Sequence, residues 1–307
     1  MLVVNNFTRL SAPAWFDTPE YAGFSNELDA GMPYIREINF IGPQKEFRRN
    51  LLWEDDDNPG FGASSSEYAG RIIPGNTFDF TYIHGKAIFA SGHPFHSASR
   101  DAFTAGLSLE KGDYALDLIC GKQVATPFGD GSSAVRHEVF PKNLQAALRD
   151  FTEGGGSIMV SGSYIGTDVW DRVYPIGIDS LKRSESIDFI QEVLGFKAMT
   201  NYATSGNELW PMKNESLDLG AKLGKMEFWK EINGKIYNVE NPDGLLPASE
   251  KSHTFLRYTD TNISAATCFD SEGYRTACLG FPLEVLKRQE DINALVEEIL
   301  SYFERQP

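Results

Sequence analysis

The sequence predicts an α/β fold with a parallel sheet, and three observations lead to this prediction. Short apolar runs recur along the chain between glycine or polar residues, as in strands that are buried on both faces. A segment with helical periodicity directly precedes the apolar run at residues 157–161. The chain closes with an amphipathic helix of about five turns. Helices and strands that alternate in this way favour a parallel sheet covered by helices.

The segment that organises the chain spans residues 141–171. Its helix carries apolar residues at i, i+3, i+4 and i+7, namely Leu144, Ala147, Leu148 and Phe151. Three glycines that begin at Gly154 end this helix. The strand at residues 157–161 is followed by polar residues. We expect these to lie at the carboxyl edge of the sheet, where ligands of open α/β sheets bind.

We predict one α/β domain over residues 1–307 with two elaborations. Residues 8–80 form a long excursion, rich in aromatic residues, that covers one edge of the sheet. Residues 196–282 form an elaboration rich in β-hairpins, with a turn at Asn233-Gly234. Further strands are predicted at residues 2–7, 86–91, 114–120, 254–258, 263–269 and 274–281, and further helices at residues 100–105 and 186–194.

Composition excludes several classes of partner. The chain has 307 residues, of which 41% are hydrophobic and 23% are charged, as in an ordinary globular protein. A net charge of −15 argues against nucleic acid, since binding to phosphates needs clustered Lys and Arg. No apolar run reaches the ~20 residues that span a bilayer, so membrane insertion is not expected. The three cysteines lie in apolar runs and are interpreted as buried free thiols, with one disulfide left open.

Two motifs carry a resemblance to a known fold. The chain resembles the class I glutamine amidotransferase-like fold, a flavodoxin-like three-layer α/β sandwich, in two motifs, namely LxxFxxGGGSIMVSG and a late strand that ends in GFPLE. In its enzymes a cysteine occupies a sharp turn after a central strand, and a late His-Pro-Glu supplies the base and its orienter. Here the turn is centred on Tyr164, and the late motif lacks histidine. Glu284 alone matches by type, so the resemblance implies the fold and not the amidotransferase reaction.

A second resemblance covers nearly the whole chain. Two segments are similar to a module of large secreted bacterial proteins labelled xanthan lyases, namely VVNNFTRLSAPAWFDT and FRRNLLWEDDDNPGFGAS. These proteins often also contain a peptidoglycan amidase module and a golvesin-type β-domain. The resemblance implies a secreted, periplasmic or cell-surface location. It also implies two kinds of partner, namely a polysaccharide or peptidoglycan glycan and other domains of the same parent chain.

Candidate site residues gather at the predicted carboxyl edge. Paired carboxylates beside a tyrosine could perform acid–base chemistry on a sugar, and a lyase also needs a cation or amide to neutralise a uronate carboxylate. The candidates for catalysis are Tyr164, Ser163, Asp168, Glu284 and His93. The candidates for ligand binding are Asn5, Asn6, Arg9, Ser161 and Gly162. A structural interpretation stays open, in which Thr167 or Asp168 caps a short helix and Asp171 is solvated.

Metals and cofactors are not expected. His93 and His96 could share a face, but no third ligand is adjacent in sequence. The acidic run that begins at Asp55 lacks the spacing of a calcium loop. The glycines from Gly154 precede their strand, whereas nucleotide-binding glycines follow one.

Two functions follow from these observations. The first is a non-catalytic or degenerate amidotransferase-like module that binds carbohydrate or organises neighbouring domains. The alternative is a polysaccharide lyase or glycan hydrolase that uses the Tyr, His and carboxylate candidates. Some large aromatic residues could form a sugar-stacking platform, although each is more simply explained by packing. They are Trp15, Phe16, Trp53, Phe61, Trp170, Trp210 and Trp229.

Overall fold

A computed structural model describes most of the chain outside the aromatic-rich excursion. The described residues are 1–6, 14–17, 19, 21–25, 46–48, 52–54, 60–61, 80–125, 138–170, 180–213, 219–231, 235–237, 239 and 241–304. The strands are β1 (Leu2–Asn5), β2 (Ala14–Asp17), β3 (Tyr21–Ser25), β4 (Glu46–Arg48), β5 (Trp53–Glu54), β6 (Gly60–Phe61), β7 (His96–Ser99), β8 (Ala115–Gly121), β9 (Ser157–Gly162), β10 (Phe196–Thr200), β11 (Glu208–Pro211), β12 (Met226–Glu227), β13 (Gly244–Pro247), β14 (Ser252–Tyr258), β15 (Ser264–Asp270) and β16 (Arg275–Leu279). The helices are α1 (Phe80–Ala90), α2 (Arg100–Thr104), α3 (Lys142–Glu153), α4 (Thr167–Trp170), α5 (Ser180–Glu192) and α6 (Gln289–Glu304), with a 3-10 helix at Leu283–Val285.

The centre of the molecule is a parallel sheet with the flavodoxin-like strand order. The parallel strands lie in the order β7, β1, β8, β9, β16. Numbered along the chain among themselves, they read 2-1-3-4-5, which is the order of doubly wound flavodoxin-like sheets. The predicted fold class is therefore confirmed.

The same sheet continues as an antiparallel extension. Beyond β16 come β15, β14, β11 and β12, so that the whole sheet has nine strands. The sequence between β9 and β16 thus contributes mainly to this extension and to the β10–β13 pair. Of the predicted excursion, the described parts form a three-stranded sheet of β2, β3 and β4 and a β5–β6 pair. The Asn233-Gly234 turn lies outside the described residues.

Helices cover both faces of the sheet, which gives the three layers. Alternate residues of each strand point to opposite faces. In β9, for example, Met159 belongs to the core beneath α1 and α6, whereas Ile158 and Val160 belong to the core beneath α2, α3 and α5. All three side chains have no exposed surface. The continuous apolar runs in the sequence reflect this burial on two faces.

One predicted strand is a helix. Residues 86–91, predicted as a strand, belong to helix α1 and its end. A short apolar run without its flanks does not distinguish a buried strand from a buried helix. The run shows the helical period only together with the residues before it, since Phe80 and His84 are buried along with Ala87 and Ile88. Gly85 is suited to its place because a Cβ there would lie 2.2 Å from the ring of Phe95.

Candidate functional site

Asn6, which directly follows β1, is a buried residue at the carboxyl edge of the parallel sheet. In an open α/β sheet, the ligand crevice lies where the strand order reverses, here between β1 and β8. The side chain of Asn6 has no exposed surface and spans this point. Its Nδ2 donates to the carbonyl oxygen of Val139 at 2.8 Å and contacts the sulfur of Cys120 at 3.4 Å. Asn6 thus joins the ends of two strands to the segment before α3.

A buried carboxylate clamps the loops beside this crevice. Asp168 lies in the first turn of α4 and is 1% exposed. One of its oxygens accepts the backbone N–H of Ala125 at 2.5 Å, and the other accepts that of Val139 at 2.9 Å. Because both oxygens bind the backbone, the carboxylate holds the segments after β8 and before α3. It does not cap its own helix through these bonds.

A second buried carboxylate clamps the turn that follows β9. The Oδ2 atom of Asp243 accepts the backbone N–H of Gly166 at 2.6 Å and that of Thr167 at 3.0 Å. Its Oδ1 also accepts the hydroxyl of Thr167. Burial raises the pKa of Asp243 to about 7, although these three hydrogen bonds act to lower it. The donors at the start of α4 are therefore bonded to the protein's own carboxylate.

Beneath the edge lies a fully buried charge network on the α1 side of the sheet. The imidazole of His84 contacts Asp117 Oδ2 through Nδ1 at 2.7 Å and Glu284 Oε2 through Nε2 at 3.2 Å. Tyr237 donates its hydroxyl to Glu284 at 2.6 Å. Burial alone would lower the pKa of His84, but the two carboxylates outweigh it and raise that pKa to about 10. The imidazolium thus places one positive charge between two buried acids.

The side chain of Cys120, near the end of β8, belongs to the core on the other face of the sheet. Burial raises its pKa to about 12, and the charges of Glu284, Asp117 and Asp168 act in the same direction. A thiol with this pKa is protonated at neutral pH and is a poor nucleophile. Gly162 packs directly against it, since a Cβ on Gly162 would lie 2.7 Å from that of Cys120.

Some polar atoms at the edge have no hydrogen-bond partner within the described part of the chain. They are Asn6 Oδ1, Ser161 Oγ, Ser163 Oγ and Asp117 Oδ1. Each belongs to a side chain with no exposed surface. Buried polar atoms of this kind usually bind ordered water or a small polar group.

The structure brings most of the predicted site residues to one edge. Asn5, Asn6, Ser161, Gly162, Ser163, Tyr164 and Asp168 lie at or just beyond the carboxyl ends of β1 and β9. Tyr164 is 2% exposed and Ser163 is fully buried. Glu284 is in the 3-10 helix after β16 and belongs to the His84 network. Arg9 and Asp171 lie outside the described residues. The catalytic and ligand-binding roles of these residues stay predictions.

His93 lies at the opposite edge of the sheet. Its Nδ1 is 2.8 Å from the hydroxyl of Tyr114, which directly precedes β8. The adjacent Pro94 accepts a hydrogen bond from the amino terminus of Met1, directly before β1. The amino ends of parallel strands lie together, so His93 is separated from the other candidates. Its predicted place at a strand's carboxyl end was wrong because the segment before it is a helix.

Sequence reasoning missed the residues that organise the site. These are His84, Asp117, Tyr237 and Asp243. A signal for His84 was present, because Phe80, His84, Ala87 and Ile88 recur at helical spacing. Nothing in the local sequence indicates that Glu284 is its partner, since the two residues are 200 positions apart.

Replacing Asp243 with alanine should lower the free energy of unfolding by about 2–3 kcal/mol, because it leaves buried donors unpaired. The matched control is Asp260→Ala. Asp260 also accepts from a turn, at the backbone N–H of Ser205 and Gly206, but in an exposed position. This substitution should cost about 1 kcal/mol, as for an exposed cap. Urea unfolding of both variants measures the difference, and equal losses would contradict the buried clamp.

The described part of the chain offers neither a cluster of metal ligands nor a membrane span. Within it, no three His, Cys, Asp or Glu side chains are grouped as metal ligands would be. His96 binds Asp113 at 2.8 Å. None of the described helices combines the length and apolar character that crossing a bilayer requires.

Comparison with known proteins gives similarity at the level of the fold. No family model and no curated protein matches the sequence. Among solved structures, a protein described as a GMP synthase subunit from Thermoplasma acidophilum is 11% identical, with a TM-score of 0.41 over 74% of this chain and 92% of its own. A glutamine amidotransferase from Methylobacillus flagellatus is 11% identical, with a TM-score of 0.40 over 73% of this chain and 90% of its own. A cytoplasmic protein from Salmonella typhimurium is 8% identical, with a TM-score of 0.48 over 99% of both chains.

These comparisons correct one expectation. The predicted secreted, periplasmic or cell-surface location finds no support among the reported neighbours, and two that each cover 99% of this chain are described as cytoplasmic proteins. None of the reported neighbours is described as a xanthan lyase.

Proposed function

We propose that this chain is a non-catalytic binding module on an amidotransferase-like fold. The observation that carries the proposal is the Asp243 clamp. The backbone donors of Gly166 and Thr167, which follow the Tyr164 turn and begin helix α4, are bonded to an internal carboxyl group and are not offered to a ligand. A substrate oxygen would have to displace a carboxyl group that is held by three hydrogen bonds.

The burial and the pKa of the candidate catalytic groups support the same proposal. Catalysis by a nucleophile needs an activated group that can touch the substrate. Cys120 has its pKa raised to about 12 and is 1% exposed. Tyr164 is 2% exposed at the centre of the turn. His84, the type of residue that acts as a base, is bound between Asp117 and Glu284.

The bound partner in this proposal is a carbohydrate, with other domains of the same parent chain as a second kind of partner. The enzymatic alternative is a polysaccharide lyase or hydrolase at the carboxyl edge. Its support is the set of buried oxygens on Asn6, Ser161 and Ser163 without a hydrogen-bond partner among the described residues, which could bind a polar substrate.

One experiment separates these functions. The chain is titrated with neutral and anionic polysaccharides while released reducing ends and unsaturated uronates are assayed. We expect binding without product, and we expect binding to survive Tyr164→Phe, which removes the one hydroxyl that the elbow position offers. Product formation that Tyr164→Phe abolishes would overturn the proposal in favour of the enzyme. Absence of both binding and product would remove the carbohydrate partner.

A further inference from the structure

The antiparallel extension of the sheet carries a row of aromatic and charged side chains outside the carboxyl edge. In β11, Leu209 is fully buried, whereas Trp210 is 49% exposed. In the adjacent β12, Met226 is buried while Glu227 is exposed. Glu208 and Glu227 are directly opposite in the antiparallel register. The outward residues of both strands therefore share one face.

Two lysines connect the members of this row. Lys225 Nζ lies 5.4 Å from the ring centroid of Trp210 and 3.4 Å from a carboxylate oxygen of Glu208. Lys287 Nζ lies 5.2 Å from the ring centroid of Trp229 and 2.8 Å from a carboxylate oxygen of Glu227. Because Glu208 and Glu227 face each other, the two groups are continuous. We call this surface the tryptophan–lysine face.

Further cations flank both tryptophans. Arg257 of β14 is the cross-strand neighbour of Trp210, on the side away from Lys225. Lys235 Nζ lies 5.8 Å from the ring centroid of Trp229. The chain as a whole has a net charge of −15, whereas cationic side chains surround these two indole rings.

We propose that the tryptophan–lysine face binds an anionic, uronate-containing polysaccharide, and this inference rests on the proposed carbohydrate-binding function. The exposed indole of Trp210 offers an apolar face to the C–H face of a sugar ring. Trp229 is partly buried against the core and lies beside Lys287 and Lys235, and lysine and arginine bind sugar carboxylates. The five residues from Lys225 to Trp229 span about 13 Å in an extended chain, which suits two or three sugar units.

The internal ion pairs do not prevent this binding. Exposed pairs such as Lys225–Glu208 contribute only about 0–1 kcal/mol, so a sugar carboxylate can replace the glutamate as partner. Glu208 and Glu227 remain on the face and oppose a partner with a dense negative charge. A uronate polysaccharide with spaced carboxylates therefore fits the face better than a nucleic acid, which carries a phosphate at every nucleotide.

The test titrates the whole chain with polygalacturonate oligosaccharides and with their methyl esters, which mask the charge. We expect the acid form to bind, the ester to bind more weakly, and added salt to weaken binding of the acid form. Trp210→Ala should weaken binding about tenfold, a change of about 1.4 kcal/mol. Lys287→Ala should weaken the acid form and leave the ester nearly unchanged.

The matched control is Trp170→Ala, since Trp170 is 46% exposed but ends helix α4 beside the carboxyl edge. We expect it to bind as the unmodified chain does. Loss of binding in Trp170→Ala with none in Trp210→Ala would overturn the assignment to this face and leave the carbohydrate function intact. Failure of the unmodified chain to bind any polysaccharide would overturn both. Equal affinity for single-stranded DNA would overturn the proposed class of ligand.

Discussion

Replacing His84 with alanine is expected to lower the free energy of unfolding by about 3–5 kcal/mol, because it removes the cation from between two buried carboxylates. Asp117, His84 and Glu284 have no exposed side-chain surface, and the two contacts are 2.7 and 3.2 Å long. Without the imidazolium, Asp117 and Glu284 must remain charged without a counter-ion or take up protons. Urea denaturation followed by tryptophan fluorescence gives the loss directly.

His96→Ala is the matched control for this prediction. His96 also bonds to an aspartate, Asp113, at 2.8 Å, but its side chain is 29% exposed. A partly exposed pair contributes at most about 1 kcal/mol. A milder change at the buried network, Tyr237→Phe, removes one hydrogen bond to Glu284 and should cost about 1–2 kcal/mol. If His84→Ala and His96→Ala lowered stability equally, the buried network would not be a major source of stability.

The central sheet could be predicted from the sequence because its signals are local. The apolar runs that became β1, β8 and β9 are buried on both faces, and each is short and bounded by polar residues or glycine. The rule that ligand sites follow parallel strands then placed Asn6, Ser163 and Asp168 near one edge. Their burial was not predictable, since it depends on loops that fold over the edge from distant parts of the chain.

The organising contacts of the site could not be predicted because they join residues far apart in sequence. Asp243 reaches Thr167 across 76 positions, and Glu284 reaches His84 across 200. Each of these acids is ordinary in its local sequence, and only the tertiary fold gives it a buried partner. The error at residues 86–91 had a different origin. The apolar run alone is too short to show the helical period of its flanks, and the misplaced strand then put His93 at the wrong edge of the sheet.

The stability of the protein should fall steadily as the pH rises from 7 to 9. The pKa of His84 is raised from 6.5 in the unfolded chain to about 10 in the fold, so the folded state keeps a proton there that the unfolded state releases. Rising pH therefore favours unfolding by up to about 1.4 kcal/mol per pH unit. The contribution of His84 is complete below pH 6.5 and is lost as the pH passes about 10.

This pH window separates His84 from other buried groups that act in the same direction. Because the pKa of Asp243 is raised from 3.8 to about 7, its effect on the pH dependence of stability falls mostly below pH 7. Burial raises the pKa of the Cys120 and Cys268 thiols from 9.0 to about 12 and also raises that of Cys278, so these thiols affect stability mainly above pH 8, where the thiols of the unfolded chain begin to ionise. Urea unfolding between pH 7 and 8 should thus show a steeper fall of stability in the unmodified chain than in His84→Gln. A flat profile in the unmodified chain would mean that His84 is neutral in the fold, and Asp117 and Glu284 would then share a site without a balancing charge.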